Sequence, residues 1–202
     1  MGERLPTASK SLHYTTTPSP THWSGFFIII FTTMSNPAPL ILTLALDEVS
    51  ANFFDTLRQQ HFPAKRNHLK AHLTLFHHLP GAEREAIANH LTQISQQQST
   101  LSLTVSEVRL LGRGVAYRLE CPALQDLHHH LSADWSAWLT LQDQQKLWPH
   151  VTVQNKVSKE EAQALHQQLS ISFEPFTATG TGLQLWEYQG GPWKWLDYFA
   201  FG

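Results

Sequence analysis

The chain has 202 residues, 42% of them hydrophobic with eleven Phe and seven Trp, enough apolar material for a folded core and against disorder over most of its length. The net charge is −2; the basic excess of a protein that grips long duplex nucleic acid is missing, so any nucleic-acid contact is expected to be short. Cys121 is the only cysteine, which excludes a disulfide framework or a Cys-based zinc site within one chain and fits a reducing, cytoplasmic setting.

Residues 1–33 are rich in Ser, Thr and Pro and lack a sustained period. They are expected to be a disordered extension, or the product of a start codon assigned too early. The apolar run Phe26 to Phe31 is far short of the roughly 20 residues a membrane span needs, and no clean small-residue cleavage site follows it. A weak membrane or secretion signal is the lesser reading of this run, and no membrane association is expected.

Regular structure begins with a strand over Leu40 to Leu46. Asp47 or Ser50 can cap a helix whose apolar positions Val49, Phe53 and Leu57 step by four. A polar, basic connection with Pro63, Lys65, Arg66, Asn67, His68 and Lys70 leads into a strand at His72, which Pro80-Gly81 ends. A helix presenting Ile87, Leu91 and Ile94 follows, then alternating Leu101, Leu103 and Val105. Gly112-Arg113-Gly114 reads as a hairpin turn, with Val115, Tyr117 and Leu119 on the return strand. Pro122 suits the first position of a helix carrying Leu124, Leu127, Leu131, Trp135 and Trp138. Trp148-Pro149 opens the strand of His150. Ser158 and Glu161 form a capping box for a helix with Ala162, Leu165 and Leu169. Phe173 to Phe176, Leu183, Leu185 and Trp186 to Tyr188 supply further strand, Gly190-Gly191-Pro192 turns, and Trp195 to Phe201 closes the chain.

The pattern strand, helix, His-strand, helix, strand then repeats. Ile41 lies 31 residues before His72 and Val115 lies 35 before His150. The expected fold is therefore α+β, a bilobal pseudo-two-fold duplication: two antiparallel sheets flanked by helices around a central cleft. The domain is expected over 34–202, with interleaved lobes of roughly 34–110 and 111–202.

Two stretches within that repeat read alike: His72-Leu73-Thr74-Leu75 and His150-Val151-Thr152-Val153. In a strand, residues i and i+2 share a face, roughly 6.6 Å apart. Each His and Thr would share one face while the apolar partners take the other. Two imidazoles and two hydroxyls around one point suit a phosphate, with groups to move protons and donors for the non-bridging oxygens. A single His-x-Thr carries little weight, because Thr is also an ordinary strand former; the pair at matching places in a repeat carries much more.

The paired motifs, with Arg66 to Ala71, Gly112 to Tyr117 and Gly190-Gly-Pro-Trp193, make residues 34–202 resemble the 2H phosphoesterase superfamily. Within it the chain looks like the bacterial 2'-5' RNA ligase family, also described as RNA 2',3'-cyclic phosphodiesterases. The resemblance implies that His72 and His150 are catalytic and that Thr74 and Thr152 hold the phosphate. It implies hydrolysis of a 2',3'-cyclic phosphate, at an RNA end or on a nucleotide, to a 2'-phosphate, with 2'-5' ligation as the reverse chemistry. Neither metal nor nucleotide cofactor is called for, and a monomer is expected. Trp148 stands where many relatives have an arginine before the proline, which unsettles any carry-over of substrate contacts.

Other residues keep two readings. Arg66, Lys70, Arg113 and Lys156 could steer or hold an RNA end, and each could instead be a solvated charge; Arg113 and Lys156 are the better candidates, since a turn and a strand end could border the cleft. Phe76, Tyr117 and Trp148 could stack a base or pack in the core. Trp193 and Trp195 read as core or edge residues of the closing hairpin, and Cys121 as a buried filler. Consecutive helical residues point about 100° apart, so His128, His129 and His130 read as a solvated face and not a metal site. His77 and His78 alternate sides of a strand, and His68 with His72 is not helical ligand spacing. A nucleotide-binding module without turnover and a His-rich metal protein are the competing classes. Which histidine is base and which is acid stays open.

Overall fold

A computed structural model describes residues 37–202; the expectations for residues 1–33, including the Phe26 to Phe31 run, lie outside them. Strand β1 is Leu40–Leu46 and helix α1 is Glu48–His61. After a short 3-10 turn at Ala64–Arg66 come β2, Leu73–Leu79, and α2, Arg84–Gln97. The hairpin β3, Leu101–Leu110, and β4, Gly114–Glu120, precedes α3, Pro122–Asp134. The chain ends with β5, His150–Asn155, α4, Lys159–Ile171, β6, Phe176–Tyr188, and β7, Trp193–Ala200.

Local chemistry sets several of these boundaries. Asp47 caps α1 by accepting the Ser50 N–H at 2.9 Å, and its other oxygen accepts from Thr179 N–H at 2.7 Å, tying the helix start to β6. Ser158 and Glu161 form the reciprocal capping box of α4. Pro122 opens α3, where the Cys121 sulfur accepts from Leu124 N–H, so the buried cysteine is also a cap. Gly112 has φ +74°, which glycine adopts freely. At Gly114 a Cβ would sit 2.2 Å from the Gln154 carbonyl, so only glycine lets β4 and β5 approach there.

The strands form one antiparallel sheet, in the order β2-β1-β6-β3-β4-β5 with β7 also on β6. This corrects the expectation of two sheets. The thirteen-residue β6 pairs along one edge with β1. Its other edge takes β3 through Phe176 to Gly180 and β7 through Gly182 to Tyr188. A single strand long enough to serve both sets joins them by backbone hydrogen bonds. No bilobal duplication is evident among the described residues.

The core is built from Leu40, Leu42, Leu73, Leu75, Leu103, Leu119, Val151 and Val153 of the strands, with Ile87, Leu91, Leu124 and Leu131 of the helices. Helix α1 departs from the sequence reading. Its buried stripe is Ser50, Phe54 and Arg58, one residue on from the expected Val49, Phe53 and Leu57. Val49 is 81% exposed while Phe54 is 0% exposed. Phe53 and Phe54 both pack edge-on to Tyr117, but only Phe54 is fully covered, and Arg58 on its stripe reaches the Thr152 carbonyl, so the tertiary surroundings decide which of two step-four stripes turns inward. His128 is also buried, stacked on Phe76 at 4.6 Å, whereas His129 and His130 face solvent. The three do part as helical geometry requires, but the first is a core residue and not part of a solvated face.

Candidate active site

The two His-x-Thr strands are the outermost strands of the sheet path, β2 and β5, and these two approach each other. Their alternation is as expected. Leu73, Leu75, Val151 and Val153 are buried, while His72, Thr74, His150 and Thr152 are half-buried. His72 stands just before the first residue of β2, and His150 is the first residue of β5.

The two imidazoles are held alike. His72 Nδ1–H donates to the Lys70 carbonyl at 2.8 Å. His150 Nδ1–H donates to the Trp148 carbonyl at 2.8 Å. A carbonyl only accepts, so the proton of each neutral ring sits on Nδ1 and the Nε2 lone pair is left for chemistry. Each ring also has an indole against it: Trp193 lies 4.6 Å from His72, and Trp148 stacks on His150 at 4.4 Å. Trp148 therefore backs an imidazole, while Phe76 and Tyr117 are core residues.

Burial pushes the His72 imidazole down to about 4; the Lys70 carbonyl opposes it, and the charges of Arg58, His150 and His77 add to it. Burial also lowers His150, against the Trp148 carbonyl and with the help of His77. Both rings are therefore neutral near pH 7 in the unliganded protein.

Arg58 is the residue that sequence reasoning missed. It is 6% exposed. Its Nε donates to Asn67 Oδ1 at 2.9 Å and to the Leu69 carbonyl at 3.0 Å. Its Nη1 donates to the Thr152 carbonyl at 2.9 Å. The guanidinium also lies over the Phe62 ring at 3.9 Å. One side chain thus fastens the segment entering β2 to the strand of the second motif. The only signal in the sequence was an arginine four residues after Phe54, on the stripe that was not chosen.

Two cavities meet at His72. One, of about 600 Å³, is lined by Lys70, His72, Gln184, Trp186 and Trp193 among others. The second, of about 460 Å³, is lined by Arg58, Arg66, His68, His72, Thr152 and Lys156 among others. His72, Thr152 and Lys156 are thus brought to one cavity, whereas Thr74, His150 and Arg113 line neither. Thr74 pairs across the sheet with Thr43, whose hydroxyl accepts from the Trp186 indole N–H at 2.9 Å. Arg113 braces a turn instead: its Nε donates to the Val157 carbonyl at 2.8 Å.

His77 is held by Asp143, a buried carboxylate that accepts from His77 N–H at 2.7 Å, His78 N–H at 3.1 Å and the Thr140 hydroxyl at 3.0 Å. Burial alone would push Asp143 up; the hydrogen bonds from His77 and Thr140 outweigh it and hold the carboxyl below its usual range. This hub ties the loop before β5 to the end of β2. Among the described residues no group of three or more His, Cys, Asp or Glu is placed to hold a metal ion, and no helix is long and apolar enough to cross a membrane.

The fold has counterparts among solved structures. TT0787 of Thermus thermophilus is similar with a TM-score of 0.57 at 14% identity, over 81% of this chain and 97% of that one. Escherichia coli LigT in its apo form gives 0.56 at 19% identity, over 83% and 99%. Its complex with 3'-AMP gives 0.54 at 20% identity, over 82% and 98%. Another LigT structure holds NADP+. No curated protein matches the chain in sequence. The sequence pattern of the 2'-5' RNA ligase superfamily, however, runs through residues 46–192, from the end of β1 across both His-x-Thr strands to the last turn. With the paired motifs on the two approaching strands of a LigT-like sheet, the chain belongs to the 2'-5' RNA ligase superfamily.

Proposed function

We propose that the protein is a phosphodiesterase that opens 2',3'-cyclic phosphates to 2'-phosphates by acid–base catalysis between His72 and His150. The observation that carries this reading is the matched tethering of the two rings, each through Nδ1 to the carbonyl two residues earlier at 2.8 Å. Tethering fixes the tautomer and presents Nε2 on both.

One neutral Nε2 takes a proton from water as its oxygen attacks phosphorus. The P–O3' bond breaks, and the protonated ring of the pair gives its proton to O3'. The products are a 2'-phosphate and a free 3'-hydroxyl. Thr74 and Thr152 donate to the non-bridging oxygens as charge gathers there. An RNA 5'-hydroxyl in place of water would give a 2'-5' bond by the same proton movements. The larger cavity beside His72, with Trp186, Trp193 and Gln184, suits a nucleobase: flat indoles to stack it and an amide to meet its edge. That LigT, a member of the same fold, has been crystallised with 3'-AMP and NADP+ supports a nucleotide ligand.

Product analysis tests the proposal. Hydrolysis of 2',3'-cyclic AMP should release the 2'-phosphate alone. A 3'-phosphate product, or binding without turnover, overturns it.

A further inference from the structure

Strands β2 and β5 carry the two motifs, yet they stand at opposite ends of the strand order, and among the described residues no ladder of backbone hydrogen bonds joins them. The sheet alone therefore does not fix how His72 and Thr74 stand to His150 and Thr152. Two buried side chains span the gap. Arg58 links the entry of β2 to Thr152. Asp143 links the far end of β2 to the loop that leads into β5.

The Asp143 link is built into β2 itself. Leu40 of β1 faces Leu79 and Leu42 faces Phe76, so β1 advances two residues while β2 advances three. The extra residue lies in the stretch of His77 and His78, where it makes a bulge. In a regular antiparallel ladder successive residues do not turn their N–H groups to the same partner. Here His77 and His78 both give theirs to Asp143, at 2.7 and 3.1 Å. The Asp143 side chain has no exposed surface. A carboxylate so removed from water is costly unless its oxygens are bonded, and the Thr140 hydroxyl at 3.0 Å and the His77 ring at 3.2 Å complete its shell.

Asp143 is also one of two anchors of its loop. The other is Pro149, whose carbonyl accepts the Leu119 N–H of β4 at 2.9 Å. Trp148 lies between the anchors and holds His150 twice, by its carbonyl at Nδ1 and by its indole on the ring. The residue that fixes the His150 tautomer is thus strung between a point on β2 and a point on β4.

We infer that Asp143 is a positioning residue for the reaction: by pinning this loop to the bulge of β2 it sets His150 against His72 and Thr74. The inference rests on the function proposed above. Asp143 lines neither cavity at His72, so it acts through Trp148 and β2 and not on the substrate.

Asp143→Ala removes the clamp, and Thr140→Val removes one of its bonds while keeping the side-chain shape. His77 and His78 are exposed, so water reaches the N–H groups that Asp143→Ala frees. On 2',3'-cyclic AMP, kcat should fall about tenfold to a hundredfold in Asp143→Ala and several-fold in Thr140→Val. KM should change by less than about threefold, because a misplaced ring loses transition-state contact and not ground-state binding. Nitrogen–proton correlation spectra of the imidazoles give a second readout. In the wild-type protein His72 and His150 should both carry the proton on Nδ1. In Asp143→Ala, His150 should become a mixture of tautomers while His72, tied to the Lys70 carbonyl, keeps its proton there.

Wild-type kcat in folded Asp143→Ala overturns the inference, as does a loss confined to KM or a loosening of both rings alike. Should Asp143→Ala fail to fold, Thr140→Val decides by the same criteria. Should the wild-type protein not turn over, the catalytic reading fails and the spectra decide alone. Selective loosening of His150 then upholds the clamp, and an unchanged His150 overturns it.

Discussion

The depressed histidines make a specific demand on the pH profile. The scheme needs one neutral and one protonated ring, and kcat/KM reports these groups in the free protein. The two rings lie within each other's electrostatic reach, so the limbs belong to the pair. His72 is held at about 4 against an ordinary 6.5, and His150 is lowered from 6.5 as well. Both limbs therefore fall below 6.5, and the maximum lies on the acid side of neutrality. Raising the pH from about 6.5 to about 7.5 takes the acid further from its protonated form and should lower kcat/KM by about five- to tenfold, the loss set by a single proton. Arg58→Met supplies the perturbation. Its charge helps to hold His72 down, so removing it should move the acidic limb to higher pH. The assay is the initial rate on a 2',3'-cyclic nucleotide from about pH 4 to 9 at constant ionic strength. A bell centred above neutrality, or an acidic limb that stays put in Arg58→Met, refutes the argument.

Three further outcomes are expected. His72→Ala and His150→Ala should each lose roughly 10²–10⁴ in kcat, while Thr74→Val and Thr152→Val should lose roughly one to two decades, measured on the same cyclic nucleotide. Near wild-type turnover in either histidine variant removes it from the machinery. The unfolded chain binds a proton at His72 near 6.5 but the folded chain only near 4, so the stability this neutral ring contributes is full above 6.5 and is lost as pH falls towards 4. Denaturant titrations of His72→Asn should show about 1–2 kcal/mol less acid loss across that window, with screening by water at the half-buried ring counted. Phe54→Ala should cost about 3–5 kcal/mol and Val49→Ala less than about 0.5 kcal/mol by chemical denaturation; the reverse order would put the buried stripe of α1 back where the sequence pattern suggested.

The local features were legible. The β1 bounds, the capping box at Ser158 and Glu161, the proline opening α3 and the alternation of both His-x-Thr strands agree with the residues read in order. Each rests on neighbours within a few positions, where covalent geometry sets the period. Features needing a distant partner were misread. Helix α1 offered two step-four stripes, and only the tertiary packing that covers Phe54 and draws Arg58 to the Thr152 carbonyl selects between them. His128 was read as solvated until Phe76 covered it. One sheet stands where two were expected because one long strand, β6, pairs with β1, β3 and β7.

The chemistry at hand is a matter of the sequence alone: two imidazoles each two places ahead of a hydroxyl, on strands whose other face is apolar, because alternation along an extended chain needs no partner. Where that chemistry meets is tertiary. Only folding brings β2 towards β5 and sets Arg58 between them. Burial then strips protons from the rings, and cations from three separate segments gather on one cavity. Burial and charge depend on what packs around a group, and the groups that meet here come from distant parts of the chain, as Arg58 and Thr152 do.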